Sequence, residues 1–222
     1  MLQQLFAITR NTFVEAIRQP IYAVLILIGV MLLTVINPSV SAYSMEHGAD
    51  IQMLITMGLS MAATVTLVLA AFTATGVVAE EIEHKTVLTV VSKPVGRPLF
   101  IIGKFLGVAG AIAIAYYILS LVLLLTYRHG VMSTASDQFD QPVLTFGTLA
   151  GLVALGLATL GNYLYRWVFT STFIVTAAFS LTVAVLLVAV ISPEWTLQSP
   201  WADLETEDWR GAHMVTGQLV IF

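Results

Sequence analysis

The chain has 222 residues, of which 58% are hydrophobic and only 10% are charged, and its mean hydropathy is +0.92. Soluble domains carry about 25% charged residues, so this composition excludes a water-soluble fold and favours helices whose outer faces meet lipid. The net charge is −4, and with the positions of the acids it makes nucleic acid an unexpected partner. The chain has no cysteine, which excludes disulfides, thiolate metal sites and cysteine nucleophiles. Composition therefore predicts an all-α, polytopic transmembrane helical bundle.

The first eighteen residues predict an amphipathic helix. On a helical wheel the apolar side chains fall in one arc of roughly 120°, and polar residues occupy most of the opposite arc. The apolar arc contains Leu2, Leu5, Phe6, Thr9, Phe13, Ala16 and Ile17. We expect residues 1–18 to lie in the cytoplasmic interface of the membrane, and a plain helical extension of the first span is the alternative.

Five apolar stretches are long enough to cross a hydrocarbon core, which needs about 20 residues. They lie near residues 21–36, 51–78, 105–127, 143–165 and 168–191. Prolines separate them, as expected where helices stop. Residues 211–222 turn apolar again, and we expect them to begin a sixth span that is truncated. The whole chain, residues 1–222, is then a single transmembrane domain.

Lysine and arginine in the short connections predict the orientation. They precede the first span, flank the connection between the second and third, and occupy the tight turn between the fourth and fifth, whereas acids dominate the alternate connections. The chain is therefore expected in a cell (inner or plasma) membrane, with its N-terminus on the cytoplasmic side. A cleaved signal peptide ending near Ala42 is disfavoured, because Glu15 precedes the apolar run and that run exceeds about 15 residues.

The most polar cytoplasmic segment runs from residue 79 to residue 104. Glu80 with His84 and Glu81 with Lys85 are i,i+4 pairs in the order that supports a helix. Val87 and Leu88 follow as an apolar knob, and Pro94 closes the segment in a rigid turn. A docking surface for a partner protein is one interpretation. A solvated loop that only fixes the topology is the other.

The residues that several functions require are not found in this sequence. No ionisable residue lies in the middle of a predicted span, which disfavours a proton-coupled carrier. The chain has no G-x-x-x-x-G-K-[ST] loop and no gathered nucleophile and base, so we expect no catalytic residue and no enzyme activity. Glu80, Glu83 and His84 lack a second nearby histidine, so no metal site is expected.

Small and hydroxyl residues recur at helical spacing within the spans. Glycine or alanine four residues apart lets helices approach closely. This spacing links Gly103, Gly107, Ala111 and Ala115 in the third span, and Gly147 and Gly151 in the fourth. Thr56, Ser60 and Thr64 share a face of the second span, where they either line a polar path or bond to their own helix.

The order of these elements resembles the permease subunits of type-two, export-like ABC transporters. The likeness covers essentially the whole chain, and its most specific part is EEIEHKTVLTVVSKPVGRPLFIIGKFLG, from Glu80 to Gly107. A glutamate pair, a Lys-Thr step, a Lys-Pro turn, an arginine and Gly-Lys match that family's cytoplasmic loop. Such permeases usually have at least six spans, whereas five are complete here.

The resemblance implies an ATP-driven transporter subunit that binds no cofactor itself. ATP and Mg are expected on a separate ABC ATPase subunit, and a second permease copy or a sister permease completes the complex in the lipid bilayer. The ATPase-coupling loop then includes Glu80, Glu81, Glu83, Lys85, Thr86, Val87, Leu88, Pro94, Arg97 and Lys104. A second cytoplasmic contact is implied at Tyr165, Arg166 and Trp167. A non-transporting membrane scaffold or assembly protein, or a secondary carrier, are the alternatives.

Overall fold

The protein is a bundle of helices, and a computed structural model describes its residues 2–43, 49–83, 97–131 and 140–191. No strand occurs within these ranges. The elements are α1 (Leu2–Arg18), α2 (Pro20–Met31), a π-helical segment (Leu32–Ile36), α3 (Asn37–Ser41), α4 (Ala49–Glu83), α5 (Arg97–His129), α6 (Gln141–Tyr165) and α7 (Phe169–Ile191). The predicted all-α, polytopic bundle is confirmed.

Five helical stretches are long and apolar enough to cross a membrane. They are Pro20–Ser41, Ile51–Gly76, Pro98–His129, Gln141–Tyr165 and Phe169–Ile191. Each includes most or all of one apolar run expected from the sequence. Residues 211–222, where a sixth span was predicted to begin, lie outside the described residues.

The first of these stretches does not stop at Pro38, although the sequence predicted an end there. Proline has no N–H and its ring crowds the carbonyl four residues earlier, which would normally break an α-helix. Here the helix widens over Leu32–Ile36, and the Asn37 N–H bonds to the Leu32 carbonyl. This π-type turn carries the helix past Pro38 to Ser41.

The N-terminal helix α1 is separate from α2. Gln19 takes an extended conformation (φ −64°, ψ 128°), as expected for a residue before proline, and α2 begins at Pro20. The alternative of a plain extension of the first span is therefore wrong. α1 then runs beside the first turns of α5 in the same direction, with Ile8 against Gly103 and Thr12 against Gly107.

The apolar arc of α1 is divided between protein and surroundings. Ala16 and Ile17 are buried, whereas Leu2 and Phe6 are 82% and 70% exposed. Thr12, which the wheel did not place in the arc, is buried against α5. The amphipathic helix is thus present, but much of its apolar face packs on α5.

The bundle has two ends, which we call the α1 end and the far end. The α1 end contains Arg18, the α6–α7 turn, the last turns of α4 and the start of α5; the far end contains Ser41, His129 and Asp140. α4 and α5 have 35 and 33 residues, or about 50 Å of helix each, against about 30 Å of hydrocarbon. Gly76 lies level with Gln19, so the rest of α4 continues past that junction at the α1 end.

The core is built around α5. Tyr22, Leu69, Ala111 and Ile174 bring four helices together in the largest buried cluster. The Tyr22 hydroxyl donates to the carbonyl of Ala111 at 2.7 Å, so its one polar group is satisfied inside the bundle. The predicted close approach along Gly103, Gly107, Ala111 and Ala115 is confirmed, because α1 and α2 pack on this stripe.

The pair α6–α7 is also tightly packed, but not through the glycines that the sequence suggested. A side chain on Gly151 would meet no atom within 4 Å, and one on Gly147 would meet only Leu125 at 3.9 Å. The contact instead uses a neighbouring stripe, in which the Ala150 and Ala154 carbonyls accept bonds from Ser180 (3.0 Å) and Thr176 (3.3 Å) of α7. The prediction for the fourth span is therefore wrong.

Candidate coupling surface

The predicted coupling loop begins and ends on helices that the structure describes. Glu80, Glu81 and Glu83 lie on the last turns of α4, and Arg97 is the first residue of α5. Their side chains, and the whole of Lys85, Thr86, Val87, Leu88 and Pro94, lie outside the described residues. What the structure defines is the platform from which this loop leaves and to which it returns.

Lys104 lies on that platform, about two turns into α5. Its Nζ stands 5.3 Å from the centre of the Phe100 ring, a cation–π distance. The preceding residue, Gly103, is covered by Ile8 of α1, with only 2.8 Å between an added Cβ and the Ile8 methyl group. The lysine is thus placed beside the seat of α1.

The second predicted contact forms a tight turn between α6 and α7. Arg166 has φ 55° and ψ 31°, a left-handed conformation that non-glycine residues rarely adopt. It ends α6, because the Arg166 and Trp167 N–H groups bond back to the carbonyls of Asn162 (3.1 Å) and Gly161 (3.2 Å). The Asn162 side chain also donates to the Trp167 carbonyl at 2.7 Å, which fixes the turn from both sides.

Aromatic rings surround this turn. Tyr165 and Trp167 stack with their centroids 5.1 Å apart, and both are more than half exposed. Tyr163 is exposed as well. Exposed Tyr and Trp at a helix end are typical of the membrane–water interface, where an apolar ring and a polar edge meet different surroundings.

A contact that the sequence analysis missed joins these parts. The Gln19 amide lies directly on Gly76 of α4, so that a Cβ there would come within 2.7 Å of Gln19 Nε2. One residue earlier, the Arg18 carbonyl accepts a bond from Thr170 Oγ1 of α7 at 3.2 Å. The α1–α2 junction therefore touches both the helix that leads into the loop and the helix that follows the turn.

The charges of the described side chains separate between the two ends. The α1 end has four cations, Arg10, Arg18, Lys104 and Arg166, and one acid, Glu15. The far end has Arg128 paired with Asp140 at 3.0 Å. No described lysine, arginine, aspartate or glutamate lies in between. Arg97 and the acids Glu80, Glu81 and Glu83 also lie at the α1 end, although their side chains are outside the described residues. Five of the six lysine and arginine residues that the structure places are therefore at the α1 end, and in this sense it is the basic end of the bundle.

Two other candidate sites from the sequence are a hydroxyl face on the second span and a metal site. Thr56, Ser60 and Thr64 each donate to the carbonyl four residues earlier, at 2.7 to 2.8 Å, so bonding to their own helix is the interpretation that holds. Within the described ranges, no three His, Cys, Asp or Glu residues gather as metal ligands.

The five apolar helices and their charge-free centres make this chain a multi-pass α-helical membrane protein. Searches against protein-family models, curated proteins and solved structures give no match.

Proposed function

We propose that the chain is the membrane-spanning permease subunit of an ATP-driven exporter of the ABC type-two class. A separate ATPase subunit that carries ATP and Mg docks on the loop between α4 and α5, and more weakly on the α6–α7 turn. A second permease copy, or a sister permease, completes the complex. The N-terminus and the basic α1 end face the cytoplasm of a cell membrane.

One observation supports this proposal most directly. The α1–α2 junction contacts α4 through Gln19 on Gly76 and α7 through Arg18 and Thr170, while α1 itself rests on the start of α5. α1 and its junction with α2 therefore connect the three helices that lead to the two expected ATPase contacts. A force applied to the loop by an ATPase would reach all of them together.

Such transmission requires an element that contacts the ATPase differently in its two states. The last turns of α4 are a continuous extension of a span, and the first turns of α5 are clamped by α1. Movement at Glu81 or Glu83 would consequently be passed to the membrane-embedded part of α4 rather than absorbed by a flexible connection.

Charge reversal tests this role. The full chain would be affinity-purified from its native membranes in mild detergent, and Mg-dependent ATP hydrolysis would be assayed in the eluate. The expectation is that Glu81→Lys with Glu83→Lys removes the co-purified ATPase activity. The matched control is Glu46→Lys with Asp50→Lys, the same charge change at or just before the other end of α4, which should retain it.

Two results would contradict the proposal. If the parent chain brings down no ATP hydrolysis under any solubilisation that keeps it folded, a scaffold without transport activity is the better explanation. If both double variants retain activity equally, the loop is only a topological anchor. Equal insertion of all variants into the membrane is the control for both results.

A further inference from the structure

An apolar crevice lies between two groups of helices. On one side are α2 and the half of α5 nearest the far end, and on the other side is the α6–α7 pair. The volume of the crevice is about 490 Å³, within the range of small-molecule sites. The crevice exists because α6 packs mainly on α7 and touches α5 over a short stretch only. The face of α6 that is turned toward α2 is therefore left uncovered. Neither the coupling surface nor the proposed function uses this crevice.

The crevice has the length of one membrane leaflet. It extends along α6 from Val143 to Leu155 and along α5 from His129 back to Ile118. Twelve residues of helix rise about 18 Å, whereas one half of a hydrocarbon core measures about 15 Å. The crevice therefore starts at the far end and reaches the middle of the bilayer, where Phe173 and Ile174 of α7 line its inner end.

The lining suits a hydrocarbon and offers little to a polar solute. Its hydroxyl groups belong to Thr34, Thr126 and Thr148, and each donates to the carbonyl four residues earlier on its own helix, at 2.8, 3.0 and 2.6 Å. The remaining lining side chains are apolar apart from His129. A polar solute would lose its water without gaining the donors that it needs.

Polarity returns only at the mouth. His129 lies where the crevice reaches the far end, and the Arg128–Asp140 ion pair holds the ends of α5 and α6 at the same level. An apolar slot with a polar mouth at the membrane surface matches an amphiphile whose chain points inward and whose headgroup stays in the interface.

Two glycines keep the slot open. Gly147 and Gly151 both line it, and neither is needed for helix packing, since an added Cβ would reach no neighbour closer than 3.9 Å. Any larger residue at these positions would occupy the crevice itself. Glycine at these two positions therefore keeps the volume of the crevice free.

We propose that this crevice binds the acyl chain of a membrane lipid drawn from the leaflet at the far end, with the lipid headgroup beside His129. The inference needs only that the bundle spans a bilayer. It is independent of the ATPase partner, so it survives or fails separately from the proposed function.

Photo-crosslinking in nanodiscs tests the site. The purified full chain would be reconstituted in phosphatidylcholine and phosphatidylglycerol containing a phosphatidylcholine with a diazirine in the middle of one acyl chain. After irradiation, labelled peptides would be mapped by mass spectrometry. We expect labelling to concentrate on residues 118–129 and 143–155.

The decisive comparison is between two substitutions on one helix. Gly151→Leu fills the crevice and should reduce this labelling about tenfold, since overpacking an occupied site typically costs that much affinity. Gly156→Leu is the matched control, because Gly156 also faces open space but does not line the crevice, and it should label like the parent. Gly147→Leu gives the same comparison if Gly151→Leu does not fold.

Three outcomes would overturn the proposal. Equal labelling of all variants would mean ordinary lipid around the bundle. With a photoreactive amino acid at position 144, which lines the crevice, in place of the lipid diazirine, crosslinks between two copies would assign the crevice to a second copy of the chain. Crosslinks from the same position to the chain's own segment 192–222 would assign it to that segment.

Discussion

At the scale of single residues, the two ends of α6 are capped in different ways. Arg166 ends the helix in a left-handed conformation, which usually costs a non-glycine residue about 1 kcal/mol or more. A glycine would adopt the same turn without that cost. The arginine instead puts a cation at the basic end of the bundle, in the turn whose neighbouring residues Tyr165 and Trp167 stack on each other.

Asp140 begins the same helix and has two roles. One carboxylate oxygen accepts a bond from the Val143 N–H at 3.3 Å, and the other pairs with Arg128 at 3.0 Å. Asp140→Asn keeps the cap but loses the ion pair, and should cost about 1–2 kcal/mol. Asp140→Ala loses both and should cost about 2–4 kcal/mol, because a helix cap adds about 1 kcal/mol.

Unfolding of the purified variants in one fixed detergent would measure both losses. The order parent, asparagine, alanine is the expected ranking of stability. If the asparagine variant unfolds with the parent, the ion pair adds nothing. If it unfolds with the alanine variant, the cap adds nothing.

At the scale of elements, the close contact between α1 and α5 depends on Gly107. A Cβ there would lie 2.8 Å from the Thr9 carbonyl and 3.0 Å from the Phe13 nitrogen, both backbone atoms that cannot rotate away. Gly107→Ala should therefore push α1 off α5 and destabilise the protein by about 1–3 kcal/mol, despite the better helix propensity of alanine.

Gly110→Ala is the matched control for this substitution. It makes the same change one turn later on α5, but its Cβ would meet only the Phe13 ring at 3.4 Å, an ordinary contact. It should be neutral or stabilising by up to about 1 kcal/mol, in the same unfolding experiment. Equal behaviour of the two alanine variants would mean that α1 is not seated on α5.

Element type and order could be read from the sequence because they depend on local signals. Local signals of this kind are the apolar runs of sufficient length, the proline after Gln19 and the amphipathic pattern of residues 1–18. The passage of the first span over Pro38 was missed, because a π-type turn compensates for the absent N–H in a way that residue type alone does not reveal.

Partners of each helix were harder to predict. Gly147 and Gly151 have the spacing of a packing stripe, yet the contact with α7 runs along Ala150 and Ala154 instead. Spacing shows that small residues share a face, but not which neighbour that face meets. The Gln19–Gly76 contact was missed for the same reason, since it joins residues 57 positions apart.

At the scale of the whole molecule, the distribution of lysine and arginine predicts how the bundle is oriented in the membrane. Of the six lysine and arginine residues that the structure places, five lie at the α1 end and only Arg128 lies at the far end. Positively charged connections are retained in the cytoplasm, so the α1 end is predicted to be cytoplasmic. The coupling surface depends on this orientation, because ATP is available only on that side.

Cysteine labelling can determine the orientation, because the chain has no native cysteine. Tyr43→Cys places a thiol at the far end, where the native side chain is 85% exposed, and Arg166→Cys places one in the exposed α6–α7 turn. In intact cells a membrane-impermeant maleimide should label Tyr43→Cys, whereas Arg166→Cys should react only after permeabilisation. Leu157→Cys, about two turns before the end of α6 on its exposed side, should lie within the hydrocarbon core, resist labelling in both conditions and serve as the control. Labelling of Arg166→Cys in intact cells, with Tyr43→Cys protected, would put the coupling surface outside the cell and remove the basis for an ATPase partner there.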